Sequence, residues 1–187
     1  MEYLKKSTAP VAETDERIQA TVKTMLARID ADGESAVREY AAQFDNWQGD
    51  FILSDEKRAE LIAQVPEQVK QDIQFAYQQV RTFAEAQRNS ITEFSIESAP
   101  GVTLGQKVIP VQCAGCYVPG GRYSHAASAL MSIATAKVAG VETIVACSPP
   151  KDGSIHPAIV YAMDLAGADI ILEMGGVHAV ATMARGL

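Results

Sequence analysis

The sequence predicts an α/β protein: a helical N-terminal region followed by an incomplete parallel sheet. Three observations carry this reading. Apolar residues in the first ninety positions recur at helical spacing. From residue 113 onward, three short apolar runs are each followed by a helix-forming stretch. Those runs recur roughly every 26–28 residues, the rhythm of right-handed βαβ units.

In the first half, Ile18, Val22, Met25, Leu26 and Ile29 form one helical stripe, stopped by Gly33. Val37, Tyr40, Ala41 and Phe44 form a second, shorter stripe. Ser54 opens a third helix, with Asp55 and Glu56 in the first turn complementing the helix dipole. Pro66 opens the longest, in which Val69, Ile73, Ala76, Tyr77, Val80 and Phe83 share a face up to about Arg88. The charges on these helices read as solvated faces without chemistry.

From Ile91 the period changes. Phe94 and Ile96 alternate with polar residues, and Val102, Leu104, Val108, Ile109 and Val111 continue as strand-like segments broken by Pro100, Gly105 and Pro110. The strand–helix units then follow. The first is about Gly115–Val118 with a helix over Ala126–Ala139. The second is Thr143–Cys147 with Pro157–Ala166, and the third Asp169–Glu173 with a helix from about Val177. Uninterrupted apolar runs such as Thr143-Ile144-Val145-Ala146-Cys147 suit strands covered on both faces. The predicted organisation is a helical region with short strands over 1–112 and an incomplete α/β domain over 113–187. A sheet that stops there is expected to leave an apolar edge. It is Rossmann-like without the usual fingerprint, since no Gly-x-Gly-x-x-Gly occurs. The glycine pairs 120–121 and 175–176 lie where ligands bind in such sheets, beyond the carboxyl ends of strands. Close helix–strand packing explains each pair equally well.

The chain has 187 residues, 48% hydrophobic and 21% charged, enough apolar material for a core. The net charge of −7 comes from the first half: residues 1–100 hold 11 Lys+Arg against 18 Asp+Glu, and the remainder five of each. With no basic stripe, nucleic acid is not an expected partner. No apolar run reaches the roughly 20 residues needed to span a bilayer, and the first residues lack an apolar signal core. A cytoplasmic protein is expected. Cys113 and Cys116 have redox-pair spacing but fall in a predicted strand, where positions three apart face opposite sides. No second pair completes a zinc site. All three cysteines, with Cys147, are expected to be buried apolar residues.

The most informative run is Gly115-Cys116-Tyr117-Val118-Pro119-Gly120-Gly121-Arg122-Tyr123-Ser124-His125. A strand ends in a Pro-Gly-Gly bend and enters a helix. Backbone amides at such a junction suit a phosphate or carboxylate, with Arg122 and His125 as further donors. A plain turn with Ser124 as helix N-cap fits the same spacing. This run, with Leu130-Met131 and Ala136-Lys137-Val138-Ala139-Gly140, resembles the histidinol dehydrogenase family. So do Asp32-Gly33-Glu34-Ser35-Ala36-Val37, Phe44-Asp45, Phe83-Ala84-Glu85-Ala86-Gln87, Pro100-Gly101-Val102-Thr103-Leu104-Gly105-Gln106 and Gly175-Gly176-Val177-His178-Ala179-Val180-Ala181.

The resemblance implies an NAD- and zinc-dependent dehydrogenase that takes a small alcohol through an aldehyde to a carboxylic acid, working as a homodimer. In such enzymes zinc positions the substrate, a histidine accepts protons and a glutamate helps activate water. It implies that Tyr117, Gly120 and Gly121 contact NAD, and that His178 occupies the place of a cofactor-contacting glutamine. A histidine there cannot offer an amide's paired donor and acceptor. For Tyr117, core packing with a satisfied hydroxyl is the competing reading.

The family's zinc ligands and catalytic Glu-His pair lie beyond the equivalent of Leu187. The chain is therefore expected to be an N-terminal portion, inactive alone, with no catalytic or metal-ligating residue. His125, His156 and His178 are not read as metal ligands. A non-catalytic nucleotide-binding fragment is the alternative function. Arg122-Tyr123-Ser124-His125 is more cationic than is usual in the histidine-pathway members and is similar to a branch that oxidises sulfopropanediol to sulfolactate. Arg122 and His125 are accordingly candidates for holding an anionic substrate group, with NAD phosphate or solvent as the competing partner of Arg122.

Overall fold

The computed structural model of the chain describes residues 12–120 and 124–187. Helix α1 (Ala12–Asp32) ends at Gly33, whose φ of +58° favours a residue without Cβ. Helix α2 (Glu34–Tyr40) runs straight into a π-helical turn over Ala41–Asp45, stopped by Asn46 in the left-handed region. Ser54 caps α3 (Asp55–Ala63) by accepting a hydrogen bond from the Lys57 N–H at 3.2 Å, as its position predicts. Pro66 precedes α4 (Glu67–Asn89). Ile73 is buried on α4, and Val69, Ala76, Tyr77 and Val80 pack around the same core. Phe83, expected on that face, is 66% exposed; Ala84 is buried instead, because the stripe drifts round the helix over six turns.

Strands β1 (Phe94–Ala99) and β2 (Val102–Gln106) form an antiparallel hairpin, exposed along its whole length. The strand-like reading of Val108, Ile109 and Val111 is not met. Pro110 removes a ladder donor there, and Ile109 and Val111 are left exposed.

Strands β3 (Cys113–Tyr117), β4 (Thr143–Ser148) and β5 (Ile170–Glu173) are parallel, in the order β3-β4-β5. Between them run α5 (Ala126–Ala129), a π turn over Leu130–Ala134, α6 (Thr135–Ala139) and α7 (Pro157–Ala166); α8 (Gly176–Arg185) follows β5. The predicted Ala126–Ala139 helix is thus continuous but widened in its middle, where Ser132 Oγ bonds back to the Ser128 carbonyl at 2.8 Å. His125, not Ser124, holds the N-cap position of α5.

The pleat sorts the two cores. One face buries Cys116, Ile144, Ala146 and Ile171 under α3, α4, α5 and α7. The other carries Cys147 and Met174 under α1, α2 and α8, and Gly115 lets α8 approach: a Cβ there would stand 3.1 Å from Met183 Sδ. The free edge of β5 is not bare. Residues 51–53 lie antiparallel to it, with Leu53 N–H donating to Ile171 O at 2.9 Å and Glu173 N–H to Phe51 O at 2.7 Å. The expected open edge is therefore covered on that side. Arg58 of α3 adds a half-buried tie, donating to Asp164 at 2.8 Å and to the Ala168 carbonyl at 3.0 Å. No helix among the described residues is long and apolar enough to cross a membrane.

Candidate functional site

The carboxyl ends of the three parallel strands converge on one proline. Pro149, just after β4, touches the loops that follow both neighbours. A Cβ added at Gly120 would meet Pro149 Cγ at 3.2 Å and Ser148 Oγ at 2.7 Å; one at Gly175 would meet Pro149 Cβ at 2.6 Å. Gly120 and Gly175 are therefore required by close approach to Pro149, a contact between strand ends and not the helix–strand packing considered above. That same approach draws the loops into a single rim.

Tyr117 closes β3 on the α8 side and is 37% exposed. Its hydroxyl lies 3.5 Å from the Gly176 amide, which joins the first strand's end to the third's. Gly176, at φ +60°, is the first residue of α8. The tyrosine is thus neither core nor free: its ring stands at the rim with its oxygen over the helix start. The exposed His125 caps α5 through backbone alone. Gly121 and Arg122 lie outside the described residues.

His178 sits in the first turn of α8 and is 1% exposed. Its Nε2 is 3.0 Å from Asp45 Oδ2, and the same oxygen accepts the Gly175 N–H at 2.8 Å. Phe44 stacks on the imidazole at 6.5 Å between centroids. Nδ1 is buried with no partner in the structure. Leaving such an atom unsatisfied costs about 1–3 kcal/mol. Asp45, in the π turn after α2, overturns the reading of the N-terminal charges as solvated faces: its side chain is 9% exposed.

On the opposite face, Ser148 and Glu173 are register partners and both are buried. Glu173 Oε1 accepts from Ser154 Oγ at 2.5 Å and from the Ile155 N–H at 3.3 Å; Ser148 Oγ has no partner. Clefts flank the rim on both faces. One, of about 660 Å³, is lined by Ile18, Phe44, Gly176, Val177 and His178. The other, of about 430 Å³, is lined by Gly120, Ser124, Lys151, Ser154 and His156.

Cysteine chemistry is absent from the rim. Burial pushes the Cys147 thiol up to about 12 and raises Cys116 as well. Cys113, expected to be buried, is exposed, because it begins a strand whose outer edge has no partner among the described residues. His156 caps α7, its Nδ1 accepting from the Ala158 N–H at 3.2 Å. No group of three or more His, Cys, Asp or Glu among the described residues could hold a metal ion. The described residues therefore do not form a zinc site. They do fit a nucleotide: a glycine-lined rim, a tyrosine hydroxyl and an orphaned imidazole nitrogen offer hydrogen-bonding groups around a concave edge.

Of the sequence-predicted residues, the fold brings Tyr117, Gly120 and His178 to the same strand ends, with His178 buried and its Nδ1 unpartnered. Sequence reasoning missed Asp45, Ser148, Pro149 and Glu173. Only Asp45 carried a signal, as part of the quoted Phe44-Asp45 pair.

Comparison with known proteins returns a consistent set. The histidinol dehydrogenase family model matches residues 9–187. The chain is 52% identical over 188 residues to sulfopropanediol 3-dehydrogenase of Ruegeria pomeroyi, covering 100% of the chain and 43% of that protein. It is 39% identical over 173 residues to histidinol dehydrogenase of Methanosarcina barkeri, covering 91% of the chain and 40% of that protein. The crystal structure of histidinol dehydrogenase from Elizabethkingia anophelis superposes with a TM-score of 0.83 at 28% identity, over 97% of the chain and 41% of that protein. The chain thus spans about two fifths of the length of the relatives it matches.

Proposed function

Because the chain belongs to the histidinol dehydrogenase family, we propose that it supplies the nicotinamide-nucleotide rim of an oxidoreductase that converts a small alcohol through an aldehyde to a carboxylic acid. NAD bound there accepts hydride. The observation that carries this reading is the convergence of Tyr117, Gly120 and Gly175-Gly176 at the carboxyl ends of parallel strands. Dinucleotides lodge at such ends in α/β sheets. Tyr117 and the Gly176 amide hold and orient the cofactor, while the two loops exclude water from one side of it.

The proton acceptor and the zinc ligands of the reaction belong to sequence beyond Leu187 in a polypeptide of the relatives' length, and this chain alone does not turn over substrate. The greater identity to sulfopropanediol 3-dehydrogenase than to histidinol dehydrogenase favours an alcohol carrying a sulfonate. Arg122 and His125, beside the rim in sequence, hold that anion by charge-assisted hydrogen bonds. The enzyme is a homodimer. Phe94, Ile96, Val102 and Leu104 on the exposed hairpin are about half exposed each, which suits burial against further protein.

Assaying the full-length protein with NAD against sulfopropanediol and histidinol tests this reading. Replacing Arg122 by Ala should raise KM for the sulfonate far more than KM for NAD. Turnover of neither alcohol, or equal effects on both KM values, contradicts it.

A further inference from the structure

Asp45 and His178 are 133 residues apart and meet in a nearly closed environment, with 9% and 1% side-chain exposure. One carboxylate oxygen serves two donors, the Gly175 N–H and the His178 ring. A carboxylate accepts only, so Nε2 carries the proton. In the neutral ring Nδ1 is then a bare acceptor. That atom has no partner. A Cβ at Gly176 would stand 3.7 Å from it, so Gly176 borders Nδ1, which is closed to solvent, and a ligand group reaches it through a small shift of that glycine turn. His178 and Gly176 both line the same cleft.

We propose that Asp45 is a positioning residue for the nicotinamide nucleotide: it holds His178 in the tautomer whose Nδ1 accepts a hydrogen bond from a ribose hydroxyl or carboxamide N–H, and it pins the Gly175-Gly176 turn beside it. With the ring neutral, the ligand group is a donor, since that tautomer leaves Nδ1 only its lone pair. Phe44 stacks on the imidazole and keeps its plane from turning. The inference rests on the cofactor reading given above and adds to it a residue from the N-terminal helical region, distant from the strand ends in sequence.

Calorimetric titration of NAD into the full-length protein, with ¹⁵N NMR of the histidine rings, tests it. Asp45→Ala and His178→Ala should each raise Kd for NAD about tenfold, the scale of a lost hydrogen bond involving a charged or buried partner. The double variant should fall well short of the sum of the two single effects, because both act in large part through one nitrogen. Wild-type NMR should show the Nε2–H form of His178. Should Asp45→Ala fail to fold, Asp45→Asn, which keeps the shape and one acceptor, should still mix the tautomers and weaken NAD severalfold. Wild-type protein that does not bind NAD overturns the cofactor reading itself. NAD binding by wild type with Asp45 variants within about twofold of it, additive effects in the double variant, or an Nδ1–H tautomer overturns the positioning role alone.

Discussion

The Tyr117 hydroxyl stands 3.5 Å from the Gly176 amide, although 59 residues separate them. At that distance the bond is long and weak, so its contribution to folding is small. Its value is positional: it fixes where the ring and the first turn of α8 face each other. Tyr117→Phe should leave the melting temperature within a degree or two and raise the Kd for NAD severalfold, the scale of one neutral hydrogen bond. A large loss of stability with unchanged Kd would instead assign Tyr117 to packing.

Gly120 is constrained by space, not by backbone angle. A Cβ there would lie 2.7 Å from Ser148 Oγ. Gly120→Ala should cost about 1–3 kcal/mol in a urea titration, as over-packing does. Ser148→Ala removes a buried hydroxyl that has no partner and should be neutral or mildly stabilising. In the double variant much of the Gly120→Ala loss should return. Strict additivity would show that the clash is relieved elsewhere.

Thiol reactivity should separate the three cysteines. With iodoacetamide at pH 8, Cys113 should be alkylated first because it is exposed. Cys147, buried and raised to about 12, should stay unmodified until the protein unfolds. Peptide mapping by mass spectrometry reads this directly. Early alkylation of Cys147 would mean that the α8 face of the sheet opens readily.

Asp169 is the group whose titration should be visible in stability. Burial pushes its carboxyl upward, but the Ile144 N–H at 2.7 Å and Lys137 Nζ at 3.1 Å outweigh this and hold it below the usual carboxylate range. A carboxyl depressed in the folded state stabilises above its unfolded pKa, and that stabilisation is lost as pH falls through its folded pKa. Wild type should therefore melt above Asp169→Asn at pH 7, by the modest margin of a half-exposed pair, and the gap should close as the pH falls below the ordinary carboxylate range. A gap that persists in acid would assign the difference to shape.

The parallel sheet was legible because its signals are local. Apolar runs such as Thr143–Cys147, recurring at βαβ spacing, are enough to point to parallel strands joined by helices. The π turns at Ala41–Asp45 and Leu130–Ala134 carry no such mark, since the same residues suit an α-helix. The site divided the same way. Glycines at strand ends point to a rim from sequence alone, but the role of Asp45 depends on a partner 133 residues away and on burial that only packing creates. His178 illustrates the limit: its position suggested a ligand contact, but its partners Asp45 and Phe44, and the Nδ1 they leave unpartnered, emerge only from packing.

The most direct measurement is a crystal structure of the full-length protein with NAD. It should show the nucleotide along the carboxyl ends of β3, β4 and β5, with Tyr117 in contact and the Gly175-Gly176 turn beside it. Nucleotide bound away from those strand ends, with Tyr117 still turned to the Gly176 amide and touching nothing else, would contradict the account.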